Sequence, residues 1–402
     1  MAKYKVIGLM SGTSAYGIDA AVVEIWGKEP DIKIKLLDFE SYPYSHEVRR
    51  EIAQACSART GRLDKICQLN FLLGELFASA ALMLANKAGL EPGEVALIGS
   101  HGQTIHHLPT PGLLAGIETS SSLQLGEPSI IAQRTGITTI ADFRPRDMAA
   151  GGCGAPLAPY FHYLAFRHRR RNRLVINLGG IANITYIPAR ASLDDLTAFD
   201  TGPGNCLIDE LVREFTSGQE WYDDGGLMAM AGEVNERLLD RLMRDPFVRH
   251  NPPKSTGPEH FNLRRLRLWP PKGRNFEDLL ATATAFTAHA LAYNIRTFVL
   301  SKGPLDEVII GGGGVHNKML LTELKLSLAP VPTHTFEEFG FSSRAAEAQA
   351  FALLAYLTFM GKGGNLPGVT GARERVVLGK IVPGQRASRA LLELVKSRRQ
   401  PG

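Results

Sequence analysis

Cysteine is scarce, with 4 in 402 residues, at positions 56, 67, 153 and 206. No two of them form a C-x-x-C pair and none stands in a zinc-like spacing, which excludes a zinc ribbon and a thioredoxin-like redox motif and fits a reducing compartment. The Walker pattern G-x-x-x-x-G-K-[ST] is missing, and so is G-x-G-x-x-G, so any nucleotide is held by another geometry. Charge or glycine breaks the apolar stretches short of the ~18 residues a membrane span requires. No secretory leader is expected before the first apolar run. The expectation is a cytoplasmic protein with no membrane partner. Charge of one sign is also in short supply: 45 Lys+Arg stand against 40 Asp+Glu. Five of those arginines lie within Arg167–Arg173, and setting them aside leaves 40 basic against 40 acidic residues. The run has no interleaved aromatic platform, so it reads as a solvated connection and nucleic acid is not an expected partner.

Glycine, by contrast, is in excess: 41 residues, about a tenth of the chain where ~7% is usual. It follows no Gly-X-Y period, so collagen is excluded, and much of it gathers at strand ends. The first forty residues read as three strands, over Val6–Met10, Ala20–Ile25 and Ile32–Leu37, with Ser11-Gly12-Thr13-Ser14 as the first turn. Helices are expected over 46–56 and 64–88, then a strand Val95–Ile98 ending in Gly99–Thr104. The same grammar returns with strands at 174–178 and 184–187, separated by Gly179-Gly180. Helices follow at 206–216, 232–244 and 277–302, then a strand 308–310 running into Gly311–Gly314. A helix over 343–360 and a short strand near 376–378 complete the reading. Strands ending in glycine turns and followed by helices make an α/β protein, with ligands beyond the carboxyl ends of the strands. The twice-used opening suggests two related halves.

Several stretches can carry chemistry, and each has a plainer reading beside it. Small residues at 8–14 allow backbone amides to approach an anion, or simply turn a hairpin. Gly179-Gly180 is a second such turn. Four successive glycines at 311–314 cost chain entropy and point to close backbone approach, by a ligand or by packing. Asp200, at the end of an apolar strand and before Gly202-Pro203-Gly204, is a candidate general base, or a cap for the helix starting near Cys206. Arg144 in Asp142–Asp147 suits a carboxylate or phosphate, or a surface ion pair. His101 and Gln103 offer donors and acceptors suited to sugar hydroxyls. Pro252–Gly257 has one cation and two hydroxyls, or merely connects. No metal-ligand cluster stands out.

Ten stretches together resemble the anhydro-N-acetylmuramic acid kinase family, in order over roughly residues 4–384. They are 10–14, 100–104, 134–137, 141–144, 154–157, 177–183, 200–205, 252–257, 311–317 and 365–371. The resemblance implies a two-domain actin-like ATPase (ribonuclease H-like) fold with the active site in the interdomain cleft. One domain spans 1–135 plus about 370–390, the other 136–369, and 391–402 is a tail. It implies ATP and Mg²⁺ as cofactors, an anhydrosugar as substrate and a possible homodimer. The reaction implied is ATP-dependent opening of 1,6-anhydro-N-acetylmuramic acid by water with phosphorylation of O6, giving N-acetylmuramic acid 6-phosphate for cell-wall recycling. Asp200 matches the catalytic base. Ser11, Gly12, Thr13, Ser14, Ala15, Tyr16, Gly17, Asp19, Gly179, Gly180, Gly311, Gly312, Gly313, Gly314 and Asn317 match the nucleotide side. His101, Gln103, Arg144, Asn183 and Glu347 match the sugar side. The chain departs from the family pattern at Tyr16, where Asp is usual, and at Glu127, Cys153 and Pro258. Two alternatives follow from these departures: a levoglucosan-type kinase, and a nucleotide-binding protein with impaired turnover.

Overall fold

The computed structural model describes residues 2–12, 14–57, 59–266 and 275–385. Among them are twelve strands: β1 (Lys3–Ser11), β2 (Gly17–Trp26), β3 (Lys33–Pro43), β4 (Leu97–Leu114), β5 (Ile117–Leu125), β6 (Thr139–Ala141), β7 (Arg173–Leu178), β8 (Ile181–Ile187), β9 (Thr197–Pro203), β10 (Glu307–Gly311), β11 (Thr333–Thr335) and β12 (Lys380–Val382). The chain falls into two compact units. One comprises Met1–Leu164, Glu347–Asn365 and Ala372–Gly402; the other comprises Ala165–Ala346 and Leu366–Gly371. The first division therefore falls at 164/165 instead of the expected 135/136, and the helix after Ala346 belongs to the first unit instead of the second. The 391–402 tail and Thr13 lie outside the described residues.

The first unit holds a seven-stranded sheet in the order β12-β6-β4-β1-β2-β3, with β5 paired to β4. β1, β2 and β3 form an antiparallel meander, and β4 and then β6 add in parallel beside β1. The helix Leu63–Lys87 covers one face, burying Leu69, Leu73, Phe77, Ala81 and Leu84 against Ile7, Leu9, Val22 and Ile98. This helix is 25 residues long and apolar enough to cross a membrane by length and composition, so the expectation that no stretch reaches that length is corrected; its apolar stripe is part of the unit's core. The helix Ala346–Phe359 covers the other face at very short range. A Cβ on Gly8 would stand 1.8 Å from the Ala348 carbonyl oxygen, and one on Gly99 2.3 Å from that of Phe351. Two of the strand glycines are thus there to seat a helix.

The second unit repeats the plan with five strands, β11-β10-β7-β8-β9. Here too a three-stranded antiparallel meander, β7-β8-β9, is followed by parallel β10 and β11 beside β7. The helices Phe276–Asn294 and Lys318–Leu328 supply its core through Phe286, Ala288, Leu291, Leu320 and Leu324. A sheet order shared by both halves is the actin-like, ribonuclease H-like arrangement that the resemblance implied.

Several elements differ from their sequence expectation. The strand expected to stop at Ile98 runs on to Leu114, because His101, Gln103, Ile105 and His107 alternate inward and the polar β5 pairs with it. The helix expected over 232–244 is confined to Glu236–Leu242, since Asn235 caps it by accepting from Leu238 N at 3.0 Å. The helix expected over 277–302 ends at Asn294 and continues as a π-helical turn, Ile295–Val299. The last strand is Lys380–Val382 instead of 376–378. The arginine run is a connection, as expected, but not wholly solvated. Arg173 is buried, donating to Glu307 at 2.8 Å and to the Phe166 carbonyl at 3.0 Å, and Arg171 pairs with the same carboxylate.

Candidate active site

In the first unit the hydroxyl/glycine turn links β1 to β2 and closes with Ala15 N donating to Gly12 O at 3.0 Å. Ala15 itself is left-handed, with φ 52°. A buried relay fixes this turn from below. The Tyr44 hydroxyl donates to Ser11 Oγ at 3.1 Å, Ser11 Oγ donates to Gln103 Oε1 at 2.6 Å, and Gln103 Nε2 donates to the Gly12 carbonyl at 3.1 Å. Burial raises the Tyr44 phenol pKa, so it stays a donor. A Cβ on Gly12 would meet nothing, so this backbone is open to an incoming group. Gly17 is different: its Cβ would stand 2.2 Å from the Tyr42 carbonyl, so β3 requires it to be glycine. The Tyr16 carbonyl accepts from Arg49 Nη2 and from Tyr44 N, both at 3.0 Å, and its ring lies 5.8 Å from the Arg49 guanidinium. Asp19 accepts from the Ser41 hydroxyl. Ser14 is half-buried in the turn.

His101 and Arg144 meet on the same unit. Arg144 Nε donates to His101 Nε2 at 3.0 Å, its Nη1 donates to the Gly154 carbonyl at 2.7 Å, and His101 Nδ1 faces the Gly102 carbonyl at 2.8 Å. Burial first, and then the guanidinium, hold the imidazole well below its ordinary pKa. It is therefore neutral, with the proton on Nδ1 and Nε2 accepting from Arg144. Gln103 is 1% exposed and engaged at both ends of its amide, so it acts on the turn and not at the surface. Glu347 is half-buried in the first turn of the helix Ala346–Phe359. Glu127, a departure from the family pattern, caps the helix Pro128–Thr135 by accepting from Ser129 N at 3.0 Å.

In the second unit the register aligns three expected residues with Asn177, which the sequence did not single out. Gly311 pairs with Asn177, Asn177 with Asn183, and Asn183 with Asp200, in a row across β10, β7, β8 and β9. Directly opposed residues share a face about 4.5–5.5 Å apart, so two carboxamides and a carboxylate stand side by side. Asp200 is 5% exposed and sits inside β9, not at its end, because the strand continues to Pro203. It caps no helix: Asn205 stands at the start of the helix Cys206–Phe215. Its Oδ2 accepts from Ser255 Oγ at 2.8 Å and from Thr256 N at 2.9 Å, and its own N–H donates to the Lys254 carbonyl at 3.1 Å. The Pro252–Gly257 stretch, which the sequence left as either connection or site, is thus the cradle of Asp200. The two hydroxyls that follow a lone cation were the signal for it.

The glycine turns of this unit divide by purpose. Gly204 N and Cys206 N donate to the Gly180 carbonyl at 2.9 and 3.0 Å, and Asn205 N donates to that of Gly179 at 2.8 Å, so Gly179-Gly180 and the Gly202–Asn205 turn are one structure. Of the run 311–314, Gly311 lies on the Phe336 ring, Gly312 has φ 86° over Asn177 and Leu178, and Gly314 abuts Leu178. Only Gly313 of the four would place a Cβ in open space, its nearest neighbour 4.0 Å away. Asn317 caps the helix Lys318–Leu328, its Oδ1 accepting from Leu320 N at 3.0 Å.

A buried carboxylate with fixed donors, set among carboxamides and glycine turns on an actin-like sheet, belongs to the class of actin-like sugar kinases. Residues 4–384 match the family described as anhydro-N-acetylmuramic acid kinase. A relative of that name from Caldanaerobacter subterraneus subsp. tengcongensis is 48% identical over 380 residues, covering 94% of this chain and 96% of its own. Another of that name, from Bacillus cereus (strain G9842), is 43% identical over 382 residues, covering 94% and 98%. The chain belongs to the anhydro-N-acetylmuramic acid kinase family. Among solved structures, an activator of 2-hydroxyisocaproyl-CoA dehydratase from Clostridium difficile with bound ADPNP aligns over 88% of this chain and 94% of its own, at TM-score 0.42 and 11% identity, too distant for its site to be carried over.

Proposed function

We propose that the protein is an ATP-dependent kinase that opens the ring of 1,6-anhydro-N-acetylmuramic acid in the cytoplasm and releases N-acetylmuramic acid 6-phosphate and ADP, as a step in cell-wall recycling. The observation that carries this reading is Asp200, a 5%-exposed carboxylate held by Ser255 and Thr256 in a chain of this family. In this reading Asp200 takes a proton from water. The water oxygen bonds to C1, the C1–O6 bond breaks, and its electron pair on O6 attacks the γ-phosphorus as ADP departs. The protein's share is positioning and charge stabilisation.

The Gly12–Gly17 turn is proposed to take phosphate oxygens on its backbone, with the relay through Gln103 and Ser11 holding it in shape. Gly179-Gly180 and the open Gly313 are proposed to approach the nucleotide. Arg144 is proposed to meet the sugar, oriented by His101, and Asn183 to meet it beside Asp200. Magnesium bound to nucleotide phosphates needs only one or two protein carboxylates, and Asp19, at the start of β2, fits that need. The ion would offset charge on the phosphates.

The test is purified protein with ATP, Mg²⁺ and 1,6-anhydro-N-acetylmuramic acid, followed by ADP release and mass spectrometry of the sugar. The expected result is one ADP per sugar 6-phosphate. Turnover with levoglucosan alone would move the substrate to the simpler anhydrosugar, and no ADP with either sugar contradicts the reading.

A further inference from the structure

Lys254 is a charged side chain in an unexpected place. It is 5% exposed, and its Nζ stands 5.0, 5.3 and 5.7 Å from the ring centroids of Phe247, Phe298 and Phe199, within the ~6 Å reach of a cation–π contact. Nζ donates to the carbonyls of Phe247 at 3.0 Å and Val248 at 3.1 Å. Burial lowers its pKa to about 8, opposed by the Asp200 carboxylate. A methionine or leucine would fill such an aromatic cage without that desolvation, and apolar replacement of buried charges is often neutral or stabilising. Stability alone therefore does not account for the ammonium.

Its position relative to Asp200 does. The Lys254 carbonyl receives the Asp200 N–H, and the next two residues deliver the two donors to Asp200 Oδ2. Phe199, one wall of the cage, directly precedes Asp200. On the far side, Asn294 Nδ2 donates to the Val248 carbonyl at 3.2 Å and to that of Thr201 at 3.2 Å. Thr201 directly follows Asp200. Lys254 and Asn294 thus converge on one carbonyl, Val248, and tie down the peptides on both sides of the carboxylate.

We infer that Lys254 is a positioning residue for Asp200: its caged ammonium, bound to the Phe247 and Val248 carbonyls, locks the 254–256 segment so that Ser255 and Thr256 hold the carboxylate in one orientation. This rests on the reading of Asp200 as the base. A carboxylate that must meet a water beside C1 tolerates little displacement, since about 1 Å of misplacement can cost ~100-fold in rate.

A double-mutant cycle with Lys254→Met and Ser255→Ala tests it, with Asp200→Asn alongside. Lys254→Met should lower kcat at least about tenfold while KM for both substrates stays within about twofold. Ser255→Ala should lower kcat less, and the double variant should be no slower than Lys254→Met, because both act through one group. A packing role alone would leave kcat per folded molecule unchanged, or make the two losses multiply; either result overturns the inference. If Lys254→Met does not fold, Lys254→Arg and Lys254→Gln replace it, and equal kcat in the two at matched Tm overturns it too. Turnover retained by Asp200→Asn instead refutes the base reading itself, so the two failures are told apart.

Discussion

Gln103 shows how a residue's chemistry and its duty diverge. Its amide suits a sugar hydroxyl, yet it lies 1% exposed with Oε1 on Ser11 and Nε2 on the Gly12 carbonyl. Gln103→Leu removes both bonds, while Ser11 Oγ keeps the Gly17 carbonyl at 2.8 Å and the Gly12 carbonyl keeps Ala15 N at 3.0 Å, so the loss is about 0.5–1.5 kcal/mol per bond. The expected outcome is a lower denaturant midpoint and nucleotide affinity weakened about tenfold, with KM for the sugar little changed. A selective rise in sugar KM would return Gln103 to direct contact. Asp200 stands out in the sequence as a candidate base because it follows an apolar stretch and is held by the stiff Gly202-Pro203-Gly204 turn. Its cradle does not, because Ser255 and Thr256 lie some fifty residues further on and only tertiary packing brings them to Oδ2. His101 stands out in the sequence as a candidate, but its neutral state and its bond to Arg144 depend on burial, which a sequence does not display.

At the scale of elements, strand glycines separate into those facing open space and those facing a backbone. Gly8 and Gly99 admit the helix Ala346–Phe359 against the sheet. Gly8→Ala places a Cβ 1.8 Å from the Ala348 carbonyl oxygen, so helix or strand must shift. Overpacking of this kind costs about 1–3 kcal/mol, and urea unfolding should show the unfolding free energy fall by that amount and the midpoint fall with it. An unchanged midpoint would mean the helix seats elsewhere. The glycine excess read from composition as a ligand signal is therefore largely a packing signal: of the 311–314 run, three glycines meet Phe336, Asn177 or Leu178. The meanders β1-β2-β3 and β7-β8-β9 were legible from short apolar runs and small-residue turns. The hairpin β4-β5 was missed because residues 106–124 carry mostly polar or singly exposed side chains, so their strand character comes from pairing with each other rather than from a hydrophobic face. The helix 232–244 was overlong because its pattern ignored the cap at Asn235.

Over the whole molecule, the two units repeat one sheet order, and buried histidines link folding to pH. Burial lowers the His162 pKa to about 3, and the His107 pKa falls to about 3 through burial, then Arg144, then His106. Both are neutral when folded and protonate in the unfolded chain below the ordinary histidine value of ~6.5. Their contribution is complete above that pH and is lost progressively as pH falls toward 3, because the unfolded state binds more protons there. Unfolding free energy should therefore drop steadily from pH 6.5 toward acid, and His162→Gln should flatten the slope by about one proton. A slope unchanged by that substitution would show that His162 titrates normally in the folded protein.

The most direct measurement compares wild type with Asp200→Asn under saturating ATP, Mg²⁺ and 1,6-anhydro-N-acetylmuramic acid, reading kcat by ADP release and ATP affinity by calorimetry. Asn keeps the shape and removes the proposed base. The account predicts that kcat falls at least about a thousandfold while the ATP Kd stays within about threefold. Turnover within a few-fold of wild type would contradict it.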